Sequence, residues 1–236
     1  SSVNYLKQKI IANQNRLLAV PTTAGTGSEA TRYAVIYYNG EKQSISDQSC
    51  IPATVLFDSS VLNTLPEYQK KSTMMDALCH AIESYWSVNS NKKSQRYSEK
   101  AIKQILSNKD AYLGNDEAAN TAMLKAANMA GKAINITQTT AGHAMCYKLT
   151  SLYGISHGHA AALCVSKLFP YMLDNMDKCI DPRGEEHLLC ILERIADSMS
   201  CPNVKTACDK FDSILKDLEM KVPQADEKDY EVLKTS

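Results

Sequence analysis

The chain has 236 residues, 44% of them hydrophobic and 22% charged, which is the balance of a soluble globular protein. Its 26 basic and 26 acidic residues cancel, so no global field favours nucleic acid or an anionic membrane, and no apolar run approaches the roughly 18–20 residues of a membrane span. The opening SSVNYLKQKI lacks the charged-then-apolar layout of a signal peptide. Eight cysteines (50, 79, 146, 164, 179, 190, 201 and 208) are scattered without a CxxC pair and read as reduced thiols of a cytoplasmic protein. Cysteine as a soft metal ligand is the lesser alternative.

In chain order, a helix-like opening (YLKQKI) leads into LLAVP, a short buried strand, then a Thr/Gly/Ser loop and the β-favouring YAVIYY. A further strand is expected at ATVLFD, and Pro66 with its polar flanks marks entry into a helix. Beyond it the chain reads as helical throughout. STMMDALCHAIESYW, SQRYSEKAIKQILSN, the Ala/Met-rich DEAANTAMLKAANMAGKAINIT and SHGHAAALCVSKLFPYMLDNM all show helical spacing, followed by amphipathic GEEHLLCILERIADSM and VKTACDKFDSILKDLEM. The expected fold is therefore mainly α: residues 1–65 as the last strands of an α/β dinucleotide-binding domain, and 66–236 as a helical domain. The α/β piece is shorter than the order of 100–150 residues such a sheet usually takes, so the sequence is expected to be cut at its N-terminus and possibly at its C-terminus.

Five histidines bear on chemistry. Asp76 and His80 lie four apart in DALCHAIESYW and share a helix face. His143 sits in TTAGHAMCYKL, either after a helix break at Gly142 or inside a helix running past it. His157 follows fourteen residues later, at the expected start of another helix. One carboxylate and three imidazoles suit Fe²⁺ or Zn²⁺ with a coordination position left open. DxxxH alone equally describes an ordinary hydrogen bond, and separately satisfied histidines remain the bland reading. The loop PTTAGTGSE, with small residues after a strand, suits either a plain surface turn or a surface for a phosphate or flat cofactor ring.

PTTAGTGSE, then DALCHAIESY, then a histidine fourteen residues before HG together resemble the iron-containing, or group III, alcohol dehydrogenases over nearly the whole chain. The resemblance implies an α/β dinucleotide-binding domain, a helical metal domain and an active site in the cleft between them. Asp76, His80, His143 and His157 match the family's four metal ligands. Thr22, Thr23, Gly25 and Thr26 match its nicotinamide-lining loop, while Lys42 and Leu62 fall where it places further cofactor contacts. NAD(P)H, a small aldehyde or alcohol substrate and a homodimer follow as expectations.

Three departures stand out. The glycine-rich pyrophosphate turn and the ribose-selecting acid are not found, so this chain alone is expected to bind a dinucleotide poorly. Tyr147 stands where the family often has a proton-relaying histidine, and with an ordinary pKa near 10 it is a poorer base. Lys148, Leu149 and Thr150 replace the commoner pattern and resemble the phosphonoacetaldehyde reductase subgroup, which makes 2-hydroxyethylphosphonate. Lys148, Thr150 and His159 are then candidate anion contacts. Lys148 reads equally well as a solvated helix lysine, and His159 as a support or cleft-wall residue. The alternatives are a short-chain alcohol or zinc polyol dehydrogenase of the same superfamily, or a catalytically incomplete metal-binding or oligomerisation fragment.

Overall fold

The computed structural model describes residues 10–11, 15–39 and 41–229, with the backbone alone at 37, 41 and 42. Most of the helix-like opening lies outside them. The rest is mainly helical: α1 (Glu67–Trp86), α2 (Lys92–Leu113), α3 (Glu117–Thr137), α4 (Ala141–Tyr153), α5 (His157–Asp174), α6 (Glu185–Ser198) and α7 (Val204–Asp217). Ahead of them come β1 (Leu18–Ala19), β2 (Tyr33–Tyr38), β3 (Glu41–Ser46) and β4 (Thr54–Val55). β1 pairs with β4 in parallel, Leu18 opposite Thr54, and β2 pairs with β3 antiparallel, Tyr33 opposite Ser46. Strands are present at LLAVP, YAVIYY and ATVLFD, but the first is not buried as expected, since Leu17, Leu18 and Val20 are exposed. β3 was not expected, because EKQSIS has too few apolar residues to announce a strand. The Asn39-Gly40 pair between YAVIYY and EKQSIS is the hairpin signal that marks it.

α1 is the axis of the helical part. Every residue from Met74 to Trp86 is buried, and the helix packs against α2, α3 and α5. A helix enclosed on all sides is usually apolar all round, yet α1 buries Asp76, His80, Glu83 and Ser84 among its alanines, methionines and aromatics. α2 begins with a reciprocal cap, the Asn91 side chain accepting from Ser94 N–H at 3.1 Å while the Ser94 hydroxyl accepts from Asn91 N–H at 3.0 Å.

Two close backbone approaches set the positions that matter later. Gly27, at φ 58°, lies against Gly131 of α3 so tightly that a Cβ on Gly27 would sit 2.4 Å from the Ala127 carbonyl oxygen. This seats the loop after β1 on α3, where Asn128 Nδ2 donates to Glu29 Oε1 at 2.9 Å. At the other approach, a Cβ on Gly158 would stand 2.1 Å from the Ser72 carbonyl oxygen and 2.7 Å from Asp76 Cβ. The first turn of α5 therefore rests directly on α1. Ser72 Oγ accepts the His159 N–H at 3.1 Å, and Tyr68 Oη accepts the Ser156 N–H at 3.1 Å.

Gly158→Ala should force α5 away from α1 and destabilise the protein by about 1–3 kcal/mol, the usual range for overpacking. A thermal melt beside the parent chain measures it, and an unchanged midpoint would mean the helices can separate without loss.

Candidate metal centre

α1 presents Asp76, His80 and Glu83 along one stripe, because residues four and seven positions on return to the same face. α4 carries His143 in its first turn, and α5 begins with His157 itself. The three-residue links before α4 and before α5 bring both helix starts over that stripe. His143 Nε2 lies 3.3 Å from Asp76 Oδ1, His157 Nε2 lies 3.8 Å from the same oxygen, and His80 Nδ1 lies 3.9 Å from Asp76 Oδ2. The His80 and His143 rings stack with centroids 4.3 Å apart. Two donors bonded at about 2.1 Å to one ion stand at most about 4.2 Å apart; the donor atoms of Asp76, His80 and His143 all lie within 4.8 Å of one another and suit a shared cation, while His157 stands outside that set.

The electrostatics suit one too. Burial would raise the Asp76 carboxyl, but His80, His143 and His157 around it hold it well below the usual carboxylate range. Burial pushes His80 down, leaving a neutral imidazole, and its Nδ1 is buried with no hydrogen-bond partner among the described residues. Burial also works against charge on His143, yet its hydrogen bonds to Asp76 and Glu83 raise its pKa. A buried carboxylate with two buried imidazoles against it, one of them with an unanswered nitrogen, forms a donor set fitted to a divalent cation.

Glu83 is the residue the sequence reading missed. Its side chain is fully buried; Oε2 meets His143 Nδ1, while Oε1 accepts from the N–H groups of Thr140 and Gly142 at 3.0 Å each and from the Thr140 hydroxyl. The Thr140 side chain makes no cap bond, so Glu83 caps α4 from the neighbouring helix as well as fixing the His143 tautomer. Its signal was its place seven residues after Asp76. Cys146 also borders the cluster, its Sγ 3.1 Å from the His143 carbonyl oxygen and 3.5 Å from His157 Nδ1.

The cluster floors a cleft of about 980 Å³. Thr22, Thr23 and Thr26 line its opposite wall, as do residues of β2 and β3, and Tyr147 stands at its edge with its ring 5.3 Å from that of His157. Burial raises the Tyr147 hydroxyl above its ordinary pKa, with Cys146, Asp76 and Glu83 adding to the effect. Other expected site residues are placed elsewhere. Gly25 is buried against Thr73, where a Cβ would come within 2.6 Å of the threonine's own. Leu62 is fully buried in the hydrophobic core. Lys148 and Thr150 are partly buried on α4 and do not line the cleft. His159 lies two positions past His157, on the far side of the helix, where Nδ1 meets Tyr68 Oη at 3.0 Å and Nε2 the Lys221 carbonyl oxygen at 3.1 Å. The Lys42 side chain lies outside the described residues. All eight cysteines are free thiols. No helix among the described residues is long and apolar enough to cross a membrane.

Comparison with known proteins gives the same class. The profile of the Fe-containing alcohol dehydrogenase family, C-terminal part, matches residues 70–228, and that of iron-containing alcohol dehydrogenase matches residues 2–59. The chain belongs to the iron-containing alcohol dehydrogenase family. Phosphonoacetaldehyde reductase of Streptomyces viridochromogenes is 33% identical over 186 residues, covering 77% of this chain and 47% of that protein. Alcohol dehydrogenase 4 of Schizosaccharomyces pombe is 31% identical over 231 residues, 92% of this chain and 51% of its own length. Among solved structures, sulfoacetaldehyde reductase from Bifidobacterium kashiwanohense in complex with NAD⁺ superposes with a TM-score of 0.80 at 25% identity, over 92% of this chain and 57% of that one. The iron-containing alcohol dehydrogenase from Thermococcus thioreducens shares the fold at a TM-score of 0.84 and 23% identity, over 96% of this chain and 57% of that one. The chain thus spans about half the length of these relatives.

Glu83→Gln keeps the volume but places an amide against His143. It should lower the affinity for Zn²⁺ or Fe²⁺ about 10- to 100-fold, the usual effect of losing a ligand's carboxylate support, with helicity retained. Chelator competition on the folded protein measures this, and equal affinity would show that Glu83 serves α4 alone.

Proposed function

We propose that this chain carries the metal-holding and nicotinamide-facing parts of an NAD(P)H-dependent aldehyde reductase, working on an acetaldehyde that bears a phosphonate group. The observation that carries this reading is the convergence of Asp76, His80 and His143, with His157 near Asp76, in a cleft that Thr22, Thr23 and Thr26 also line. Residues 1–65 are taken as the end of a dinucleotide-binding domain and 66–236 as the catalytic helical domain, in line with the two family profiles. The names of the relatives supply the substrate class, since both a phosphonoacetaldehyde and a sulfoacetaldehyde reductase are among them.

When bound, Fe²⁺ or Zn²⁺ supplies a Lewis acid for the carbonyl oxygen and NAD(P)H supplies the hydride. The chain's own residues do the positioning. Asp76, with three imidazoles against it, stays ionised and would hold the cation together with His80 and His143. Glu83 holds His143 so that Nε2 faces Asp76. Thr22, Thr23 and Thr26, which line the same cleft, would hold the nicotinamide ring. Tyr147, kept protonated by its raised pKa, is placed at the cleft edge to donate a proton from Oη as the alcohol forms.

The test uses the full-length protein. It should purify with about one Fe or Zn per chain and oxidise NADH or NADPH in the presence of phosphonoacetaldehyde. His143→Ala and His157→Ala should each lose the metal and at least about a thousandfold in rate, since Lewis-acid assistance contributes several kcal/mol. Activity that survives either change would mean these histidines do not hold the metal.

A further inference from the structure

One residue of the cleft is held in a conformation that its side chain makes unfavourable. Gln138, between α3 and α4, has φ 64° and ψ 173°, a region that only glycine enters freely. The backbone is clamped on both sides. The Thr137 hydroxyl lies 2.8 Å from the Gln138 carbonyl oxygen and 2.9 Å from Ser84 Oγ, and the Gln138 N–H donates to the Ile134 carbonyl at 2.8 Å. Two residues on, Thr140 is fixed by Glu83 and by Trp86 Nε1, which donates to its hydroxyl at 2.9 Å. Gln138 and Thr139 span these clamps, and both line the cleft beside His143.

Glycine would relieve this backbone, yet the chain carries a carboxamide there. The Gln138 side chain is exposed and makes no hydrogen bond to the described residues. It is the one side-chain amide among the described residues lining the cleft, and neither lysine nor arginine is among them. Among the described residues an oxyanion entering the cleft away from the imidazoles would therefore meet neutral donors, with Glu29 the one carboxylate lining the cleft outside the metal cluster.

We propose that Gln138 recognises the substrate, its carboxamide N–H donating to an oxygen of the tetrahedral head group, phosphonate or sulfonate, at the end of the aldehyde away from the reacting carbonyl. The inference rests on the aldehyde-reductase reading above and assigns its selectivity to a named side chain. A hydrogen bond to a charged group contributes enough to change binding about 10- to 100-fold.

The experiment compares full-length wild type, Gln138→Gly and Gln138→Ala with phosphonoacetaldehyde, sulfoacetaldehyde and propanal. Metal content and circular dichroism are read alongside, to confirm an intact site and fold. In both variants the ratio of kcat/KM for the anionic aldehydes to that for propanal should fall about 10- to 100-fold, mainly through KM. Gln138→Gly should melt no lower than wild type, because its backbone is relieved. An unchanged ratio, whether all three rates fall together or none does, overturns the proposal and leaves Gln138 as a linker residue only. Wild type that reduces no aldehyde at all would sink the underlying reading and this inference with it.

Discussion

Two carboxylates buried on one stripe of one helix are the constraint on which the rest of this structure depends. Asp76 and Glu83 lie one above the other on α1, removed from water, and their charge must be answered by something the fold brings to them. His143 stands between the two, with Asp76 at one ring nitrogen and Glu83 at the other. Removing one member of such a buried pair typically costs about 3–5 kcal/mol, so α4 cannot settle anywhere except against α1. α5 follows because its first residue completes the set around Asp76.

The same carboxylates explain an oddity of α4, whose own N-cap threonine makes no side-chain cap bond. The cap comes from across the helix interface, in Glu83. One side chain thereby couples the start of a helix to the tautomer of the imidazole in its first turn. A local cap would stabilise the helix equally well, but it would leave His143 free to turn.

Much of this was legible from residue types and spacing. The helices announced themselves by periodicity, whereas Asp76, His80, His143 and His157 stood out only through the resemblance to the iron-containing alcohol dehydrogenases, since spacing alone left ordinary hydrogen bonds open. Glu83 was not legible, because a glutamate in a helix ordinarily faces solvent, and only the complete enclosure of α1 turns it inward. β3 was obscured by its polar residues, although its turn was written in Asn39-Gly40. Leu62, expected from the resemblance, is enclosed in the core, and His159 shows the opposite failure. Proximity in sequence to a motif does not fix the side of a helix, and two positions along α5 carry a side chain from the cleft to the opposite face. Gln138 was invisible for another reason, since a left-handed φ at a non-glycine residue is imposed by tertiary clamps and leaves no mark in local composition.

The tight seat of Gly158 on Ser72 has a consequence for how the chain assembles. The contacts of Asp76 with His143 and His157 join residues 67 and 81 positions apart (143 − 76 and 157 − 76), and α2 and α3 lie wholly inside the loop so closed. α6 and α7 lie outside it. Long loops close slowly and gain nothing until their ends meet, so the pairing of α1 with α5 must wait for α2 and α3 to fold back and draw the ends together. The floor of the cleft thus rests on contacts that only a long loop can close. A lesion between α2 and α3, far from any histidine, reaches the site through the chain's own topology, whereas one in α7 reaches it only through the packing of α7 on α5.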